Sequence, residues 1–316
     1  MVKVPESLRA LLTGAIDYAG LYPPASLDLP TALDKFFQHQ SSLHSWMLAR
    51  FVVGVDKLAT LASLVAERNG SGRSFLLSIV ARPASPGTDF GEQFGEDLKM
   101  IREFQQSAPV GLAVDAVEVK TPAADPIEWL SGFQAAIAPA KTLDAKLFFE
   151  VGFTRGWERW IHRLCSEAKE ALGRRTGIKL RCGGVEKWAF PSPTQVSEFL
   201  TACRRSGGDW KATAGLHHPL PTDDPTTGAT MHGFINLFTA ALLCQFGKGE
   251  PNAARLVEVL EDRDKSSWSL TDDALRWRDF SIQTSSIATA RKHIATSFGS
   301  CSFDEPVDDL AALGWL

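Results

Sequence analysis

Short runs of β-forming residues alternate with amphipathic stretches between residues 47 and 215. This alternation predicts a parallel sheet whose strands are joined by crossover helices. The predicted strands are 47–55, 75–81, 113–119, 146–151, 177–182 and 210–215. The predicted helices are 56–67, 91–106, 126–138, 156–172 and 192–205. The last of these helices has a clear start signal, because Pro191-Ser192-Pro193 supplies a capping serine and a proline for the first turn.

The pattern loosens after residue 215. Helices are predicted over 231–246, 252–261 and 287–295, and the strand candidates there are 268–270 and 280–283. The strand–helix units recur and no Gly-x-Gly-x-x-Gly turn follows a strand, so the sequence favours an α/β fold of the (β/α)8, TIM-like barrel type over a doubly wound sheet. A barrel that is irregular in its last two units is the alternative. We expect one domain over 1–316, with 1–45 as an N-terminal capping segment and 46–316 as the barrel.

The composition of the chain narrows the class of protein. It has 316 residues, of which 44% are hydrophobic and 22% charged, which is ordinary for a globular protein with a large core. The formal net charge of −4 argues against general nucleic-acid binding and against an anionic membrane surface. No stretch approaches the roughly 18 consecutive apolar residues that a membrane span needs. We therefore predict neither a nucleic-acid nor a membrane partner.

The cysteines and the N-terminal residues indicate a compartment. The five cysteines are scattered and include no Cys-x-x-Cys, which is typical of reduced, intracellular proteins. The first residues lack the basic-then-apolar pattern of a secretory signal. We expect a cytoplasmic protein whose partner is a small molecule, and assembly into a homo-oligomer is left open.

Charged residues interrupt the predicted strands at alternate positions. Side chains alternate between the two faces of a strand, and the face that helices cover must be apolar. The charged side chains should therefore point into the barrel lumen, mostly near the C-terminal strand ends, where barrel enzymes place their sites. The residues in this phase, or just after a strand, are Arg50, Arg82, Glu118, Lys120, Glu150, Lys179, Arg181, Lys211 and Thr213.

Cations outnumber carboxylates in this set. A buried charge is costly unless it is paired, so the positive surplus predicts an anionic guest such as a phosphate or a carboxylate. Gly183-Gly184 follows a strand and precedes a helix, which places its backbone amides to meet such an anion. The alternative is a lattice of ion pairs that fills the lumen and satisfies itself. The predicted substrate-binding residues are Arg50, Arg82, Lys120, Lys179, Arg181, Gly183, Gly184 and Thr213.

Two adjacent histidines, His217 and His218, lie just past the strand at 210–215. A histidine at a strand end is well placed for acid–base catalysis or for metal ligation, and with Glu118 and Glu150 it supplies the ligand types of a divalent-metal site. The cations nearby repel a metal ion. We therefore predict no cofactor and no bound metal, and proton transfer by one of the two histidines. A histidine that only bonds a loop carbonyl is the alternative.

Two segments resemble a known enzyme family. Lys211-Ala-Thr-Ala-Gly215 resembles the Lys-Thr-Ser-Thr-Gly strand of deoxyribose-phosphate aldolase, a class I aldolase barrel whose lysine forms a Schiff base. Lys179-Leu-Arg-Cys-Gly-Gly184 is similar to the Lys-Ala-Ser-Gly-Gly strand of that family, which carries a second lysine, although the two strands come here in the opposite order. The resemblance implies a nucleophilic Lys211, with Lys179 as a neighbouring charge that favours a free amine.

These observations lead to the expectation of a lyase or isomerase that acts on a phosphorylated or carboxylated substrate. The predicted catalytic residues are Lys211, Glu150, Glu118, His217 and His218. One alternative is a metal-dependent hydrolase, lyase or isomerase that uses Glu118, Glu150 and a histidine. The other is a catalytically silent barrel that binds an anionic ligand. The segment Asp17–Pro24 and Cys301 have no assigned role.

Overall fold

The computed structural model describes residues 3–68, 74–83, 89–122, 140, 143–150, 152–153, 156–172 and 176–316. The strands in chain order are β1 (Ile16–Tyr18), β2 (Leu48–Gly54), β3 (Phe75–Val80), β4 (Leu112–Lys120), β5 (Lys146–Glu150), β6 (Thr176–Arg181), β7 (Asp209–Thr213), β8 (Thr222–Asp224), β9 (Ala229–Met231), β10 (Trp268–Leu270), β11 (Ala274–Trp277), β12 (Phe280–Gln283) and β13 (Ala295–Ser300). Eight of them, β1 to β7 and β13, form a closed barrel of parallel pairs, in which β13 lies between β7 and β1. This confirms the predicted α/β, TIM-like barrel.

Helices surround the barrel. In chain order they are α1 (Glu6–Leu12), α2 (Leu29–Gln40), α3 (Leu58–Arg68), α4 (Phe90–Ser107), α5 (Trp157–Leu172), α6 (Pro193–Ser206), α7 (Phe234–Phe246), α8 (Ala253–Glu261), α9 (Thr284–His293) and α10 (Asp304–Ala312). The start signal of α6 is confirmed, because Ser192 and Gln195 form a reciprocal capping box. The predicted helix 126–138 lies outside the described residues. Among the described residues, no helix is long and apolar enough to cross a bilayer.

The N-terminal segment does more than cap the barrel. The prediction assigned 1–45 to a cap, but this segment contains β1, which pairs with both β2 and β13 and closes the barrel. A strand of three residues is too short to show a period-2 pattern, and this is why the sequence did not indicate it. The strand that carries Lys211 is consequently the seventh of the barrel.

The last barrel strand was also predicted in the wrong place. The candidates 268–270 and 280–283 are strands, but they lie in a separate antiparallel sheet of order β10-β11-β12. The eighth barrel strand is β13, and the predicted helix 287–295 ends before it, at His293. The sequence of β13, Ala-Thr-Ser-Phe-Gly-Ser, is too rich in small polar residues to read as a buried strand.

Buried apolar side chains from Leu8 to Leu310 form one contiguous cluster. Leu147 and Phe149 of β5 belong to it, whereas Phe148 lies in the opposite phase, with its ring 5.7 Å from the Nζ atom of Lys211. The two phases of the strand therefore serve two environments, an apolar layer under the helices and a lumen that contains charges.

Candidate functional site

A chain of alternating charges runs through the barrel lumen toward the C-terminal strand ends. Each member contacts the next through an ion pair. In order the members are Asp115, Arg50, Asp17, Lys211, Glu118, Lys179, Glu150 and Arg181. The structure thus brings together the predicted site residues Arg50, Glu118, Glu150, Lys179, Arg181 and Lys211, which come from five different strands.

Lys211 lies in the middle of this chain of charges. Its Nζ donates to Asp17 Oδ2 at 2.6 Å and to Glu118 Oε1 at 2.5 Å, and its side chain is fully buried. β7 pairs with β6 along its whole length, and in this ladder Lys211 is directly opposite Lys179. The ammonium of Lys211 is therefore held between two carboxylates inside the barrel, out of contact with solvent.

Lys179 is the next cation in the chain of charges, and its side chain is slightly more exposed than that of Lys211. Its Nζ is 2.8 Å from Glu118 Oε2 and 2.9 Å from Glu150 Oε2, and 8% of its side chain is exposed. Burial lowers the pKa of Lys179, but the charges of Glu118 and Glu150 outweigh burial and raise the pKa above its ordinary value. Lys179 was expected to act as a neighbouring charge that favours a free amine on Lys211, but in the structure the two lysines are bridged by Glu118, which pairs with both.

The two glutamates of the lumen are ionised. Burial raises the pKa of Glu118, but Lys179 and Lys211 outweigh it and hold the pKa well below its usual range. Burial also raises the pKa of Glu150, but the charge of Lys179 outweighs burial and lowers the pKa overall. Ser78 of β3 donates a further hydrogen bond to Glu118 Oε1 at 2.6 Å. A carboxylate that accepts several charge-assisted bonds is stabilised as the anion.

The inner end of the chain contains residues that the sequence did not single out. Asp17 of β1 accepts from Lys211, from Arg50 at 3.1 Å and from Ser297 at 2.6 Å, and it is fully buried. Burial raises the pKa of Asp17, but Lys211 and Arg50 outweigh it and lower the pKa overall. Arg50 also reaches Asp115 at 2.5 Å. Arg50 was predicted to bind substrate; in the structure its guanidinium is ion-paired with the buried Asp17 and with Asp115, whose side chain is 38% exposed.

Within the ion-paired chain, the structure does not show the predicted positive surplus. Four carboxylates face four cations in the chain, since Asp17 and Asp115 add to the two glutamates. Arg82 does not enter the lumen: its guanidinium pairs with Asp97 and Glu96 of α4, outside the barrel. The alternative prediction, a lattice of ion pairs that fills the lumen, describes the interior better, because carboxylates from distant parts of the chain pair with each cation.

The mouth of the barrel differs from its interior, because cations are exposed there. Arg181 is 3.6 Å from Glu150 and its side chain is 46% exposed, and Lys120, opposite Glu150 in the ladder, is also exposed. Tyr22 is partly buried near Glu118 and Lys179, and burial, with the charge of Glu118, raises the pKa of its hydroxyl above the ordinary value. The outer end of the charge chain is therefore cationic, with a protonated phenol nearby.

Two glycine turns meet beside Arg181. A Cβ atom on Gly183, after β6, would lie 2.8 Å from the Cα of Gly215, after β7, so the two backbones are in contact and require glycine. Ala214 and Gly215 both have positive φ, of 58° and 65°. Such backbone is unfavourable for alanine and is common at functional sites. Thr213 is half-buried at the end of β7, next to this turn.

The predicted catalytic histidines contact α10 and not the lumen chain. His217 Nδ1 is 3.1 Å from Glu305 and 3.9 Å from the Sγ atom of Cys301, and His218 Nδ1 is 2.5 Å from Asp309. Burial lowers the pKa of His217 and raises that of Cys301, so a neutral imidazole beside a thiol is favoured. Sequence spacing could not separate these histidines from the lumen, because α10 lies about ninety positions further along the chain.

No group of three or more His, Cys, Asp or Glu side chains is arranged to hold a metal ion among the described residues. Glu118 and Glu150, which were considered as ligands, have lysines as partners, and the histidines have other carboxylates. Comparison of the sequence with protein-family models and with curated proteins finds no match. The geometry of the site therefore carries the functional argument.

Proposed function

We propose that this protein is an enzyme that acts on a small anionic molecule and moves a proton at a carbon next to a carbonyl, in a lyase or isomerase reaction. The single observation that carries this proposal is the Lys179–Glu150 pair, 2.9 Å apart at the inner edge of a cationic mouth. The (β/α)8 fold is common among enzymes, and their sites lie at the C-terminal strand ends, where this pair is found.

Lys179, and not the Lys211 that the resemblance to aldolases indicated, is the lysine that meets the substrate in this scheme. Lys211 is fully buried and its ammonium is ion-paired with the carboxylates of Asp17 and Glu118, so a substrate at the mouth does not reach it. Lys179 is the lysine nearest the mouth in the charge chain, with part of its side chain exposed. Its raised pKa disfavours a Schiff base and favours an ammonium that stabilises a developing enolate oxygen.

Glu150 is the base in this scheme. It is ionised because its pKa is lowered, so it can take a proton from the substrate carbon and return it to another position. When Glu150 is protonated, Lys179 keeps Glu118 as a partner at 2.8 Å, and the buried ammonium is never left without a counter-charge. Arg181 and Lys120 hold the anionic group of the substrate, and the Tyr22 hydroxyl is a proton donor at the rim.

Deuterium exchange tests this proposal without knowledge of the natural substrate. The protein is incubated in D₂O with phosphorylated sugars and small keto and hydroxy acids, and C–H exchange and turnover are followed by NMR and mass spectrometry. We expect exchange with at least one compound, and a loss of about a hundredfold or more in Lys179→Met, because removing a group that stabilises a developing oxyanion costs about 10²–10³-fold. Borohydride added with the active compound should trap no adduct.

Lys146→Met is the matched control. Lys146 is also a barrel lysine paired with a carboxylate, Asp209, but it begins β5 at the opposite end of the strand from Glu150. It should keep exchange within about twofold of wild type, since it touches no member of the charge chain. Equal losses in both variants, or a borohydride adduct on Lys211, would overturn the assignment of Lys179 and Glu150.

The balanced lumen favours a second candidate, a barrel that binds an anion and catalyses nothing. In that case the ion pairs only fill the interior, and the exposed Arg181 and Lys120 hold the ligand. Saturable binding of an anion without exchange or turnover of any compound would support this candidate over the enzyme.

A further inference from the structure

We infer that the two glycine turns at the mouth form a cradle for a phosphoryl group. The cradle consists of the backbone amides of Gly183, Gly184, Gly215 and Leu216 together with the guanidinium of Arg181. This inference rests on the proposed function, since it names the class of anion that the proposed enzyme binds, and it selects phosphate esters over carboxylates.

The four amides share one property. None of them donates a hydrogen bond to another residue in the part of the chain that the structure describes. Gly183, Gly215 and Leu216 are buried residues. More than nine in ten buried backbone N–H groups are paired in proteins, because an unpaired one costs free energy. Several such amides in two adjacent turns therefore call for an external acceptor.

The packing of the two turns brings the backbones of Gly183 and Gly215 into contact. A Cβ atom on Gly183 would lie 3.1 Å from the backbone nitrogen of Gly215, and one on Gly215 would lie 2.9 Å from the Cα of Gly183. Arg181 lies over the same turn, since its Nη2 would be 3.4 Å from a Cβ atom on Gly184. The Cβ atom of Ala189 and the ring of Phe190 also lie against the two glycines, at 2.7 Å from a Cβ on Gly184 and 2.8 Å from a Cβ on Gly183, and they form the apolar side of the turn.

The number of donors distinguishes a phosphoryl group from a carboxylate. A guanidinium alone satisfies both oxygens of a carboxylate in a bidentate pair. A phosphate monoester has three terminal oxygens and a charge near −2, and it is bound by several amides with one or two cations. Among the described residues Arg181 has one weak partner, Glu150 at 3.6 Å, so most of its donors face no acceptor in that part of the chain.

The cradle is tested by measuring the binding of inorganic phosphate at constant ionic strength. Acetate, measured in the same way, represents a carboxylate ligand. The readouts are the dissociation constant and the ¹⁵N–¹H chemical shifts of the protein. We expect phosphate to shift the amide signals of Gly183, Gly184, Gly215 and Leu216 in a saturable manner and to bind at least about tenfold more tightly than acetate.

Arg181→Gln and Arg205→Gln are the paired variants. Both remove one exposed arginine charge, but Arg205 lies in the last turn of α6, at the opposite end of the barrel. Arg181→Gln should weaken phosphate binding about tenfold or more, as expected for a charge-assisted hydrogen bond, while Arg205→Gln changes it by less than about twofold. The melting temperature of each variant without phosphate verifies that it is folded.

The outcomes separate the cradle from the proposed enzyme. Phosphate that binds no tighter than acetate, that shifts signals elsewhere, or that binds equally to both variants overturns the cradle, and the result for Lys179→Met is then unaffected. Tight phosphate binding at the four amides supports the cradle. If Lys179→Met then keeps full exchange activity, the proton-transfer scheme is contradicted while the cradle stands.

Discussion

At the scale of single residues, Lys211 joins two acids that are far apart in the sequence. It lies between Asp17, 194 positions away, and Glu118, 93 positions away, and all three side chains are almost completely buried. Without this ammonium, two carboxylates would face each other in the lumen with too few counter-charges. Its role in the proposed scheme is therefore positioning: it keeps Glu118 ionised and in place for Lys179.

Lys211→Met tests this role. Removing one partner of a buried ion pair costs about 3–5 kcal/mol, and we expect a loss of that size in the free energy of unfolding measured with urea. Lys146→Met, which breaks the more exposed pair with Asp209, should cost about 1 kcal/mol. A loss for Lys211→Met no larger than for Lys146→Met would mean that Asp17 and Glu118 do not depend on the buried ammonium.

At the scale of elements, the C-terminal helix α10 is held by three histidines. His39 of α2 lies 3.5 Å from Asp304, and His217 and His218 contact Glu305 and Asp309. Burial lowers the pKa of His39 and of His217 more than the facing carboxylates raise it; Lys35 also acts on His39, and His218 and Asp224 act on His217. The folded protein therefore favours the neutral imidazoles of His39 and His217 where they face α10.

This arrangement gives the stability a defined pH dependence. The unfolded chain binds a proton at His39 and at His217 near pH 6.5, and the folded chain binds these protons only at lower pH, so this contribution to stability is present above about pH 6.5 and is lost as the pH falls below it. His217→Gln should flatten the decline of the urea midpoint between pH 8 and pH 5.5, whereas the exposed His293→Gln leaves it unchanged. An unaltered decline in His217→Gln would contradict the assignment.

At the scale of the whole molecule, β13 closes the barrel between the two ends of the chain. Phe298, in the middle of this strand, is fully buried and stacks on Phe234 of α7, with ring centroids 5.0 Å apart. Its N–H bonds to Ala15, just before β1. Phe298 therefore joins the closing strand to a helix outside it and to the first strand of the chain.

Phe298→Ala should cost about 3–5 kcal/mol of unfolding free energy, in a single cooperative transition, because the cavity lies at the seam of the barrel. Phe246→Ala is the control: Phe246 ends α7 with 42% of its surface exposed, and its loss should cost less than about 1 kcal/mol. Similar costs for the two variants would show that β13 is not needed to close the barrel.

Much of the fold was predictable from the sequence because its signals are local. The alternation of strands and helices determined the barrel type, and the period-2 pattern placed Glu118, Lys179 and Lys211 on the lumen face of their strands. The capping signal at Ser192 likewise needs only neighbouring residues. The strands β1 and β13 were not predictable, because one is too short and the other too polar for a pattern to show.

The balance of charge in the lumen was decided by the tertiary structure alone. Barrel closure brings Asp17 beside Lys211 and Asp115 beside Arg50, so that a set of residues that reads as cationic along the chain becomes neutral in space. The same folding turns Arg82 toward α4 and the two histidines toward α10. Periodicity determines which face of a strand a side chain occupies, but the partner it meets there depends on which distant strand or helix packs opposite, and no local pattern encodes that.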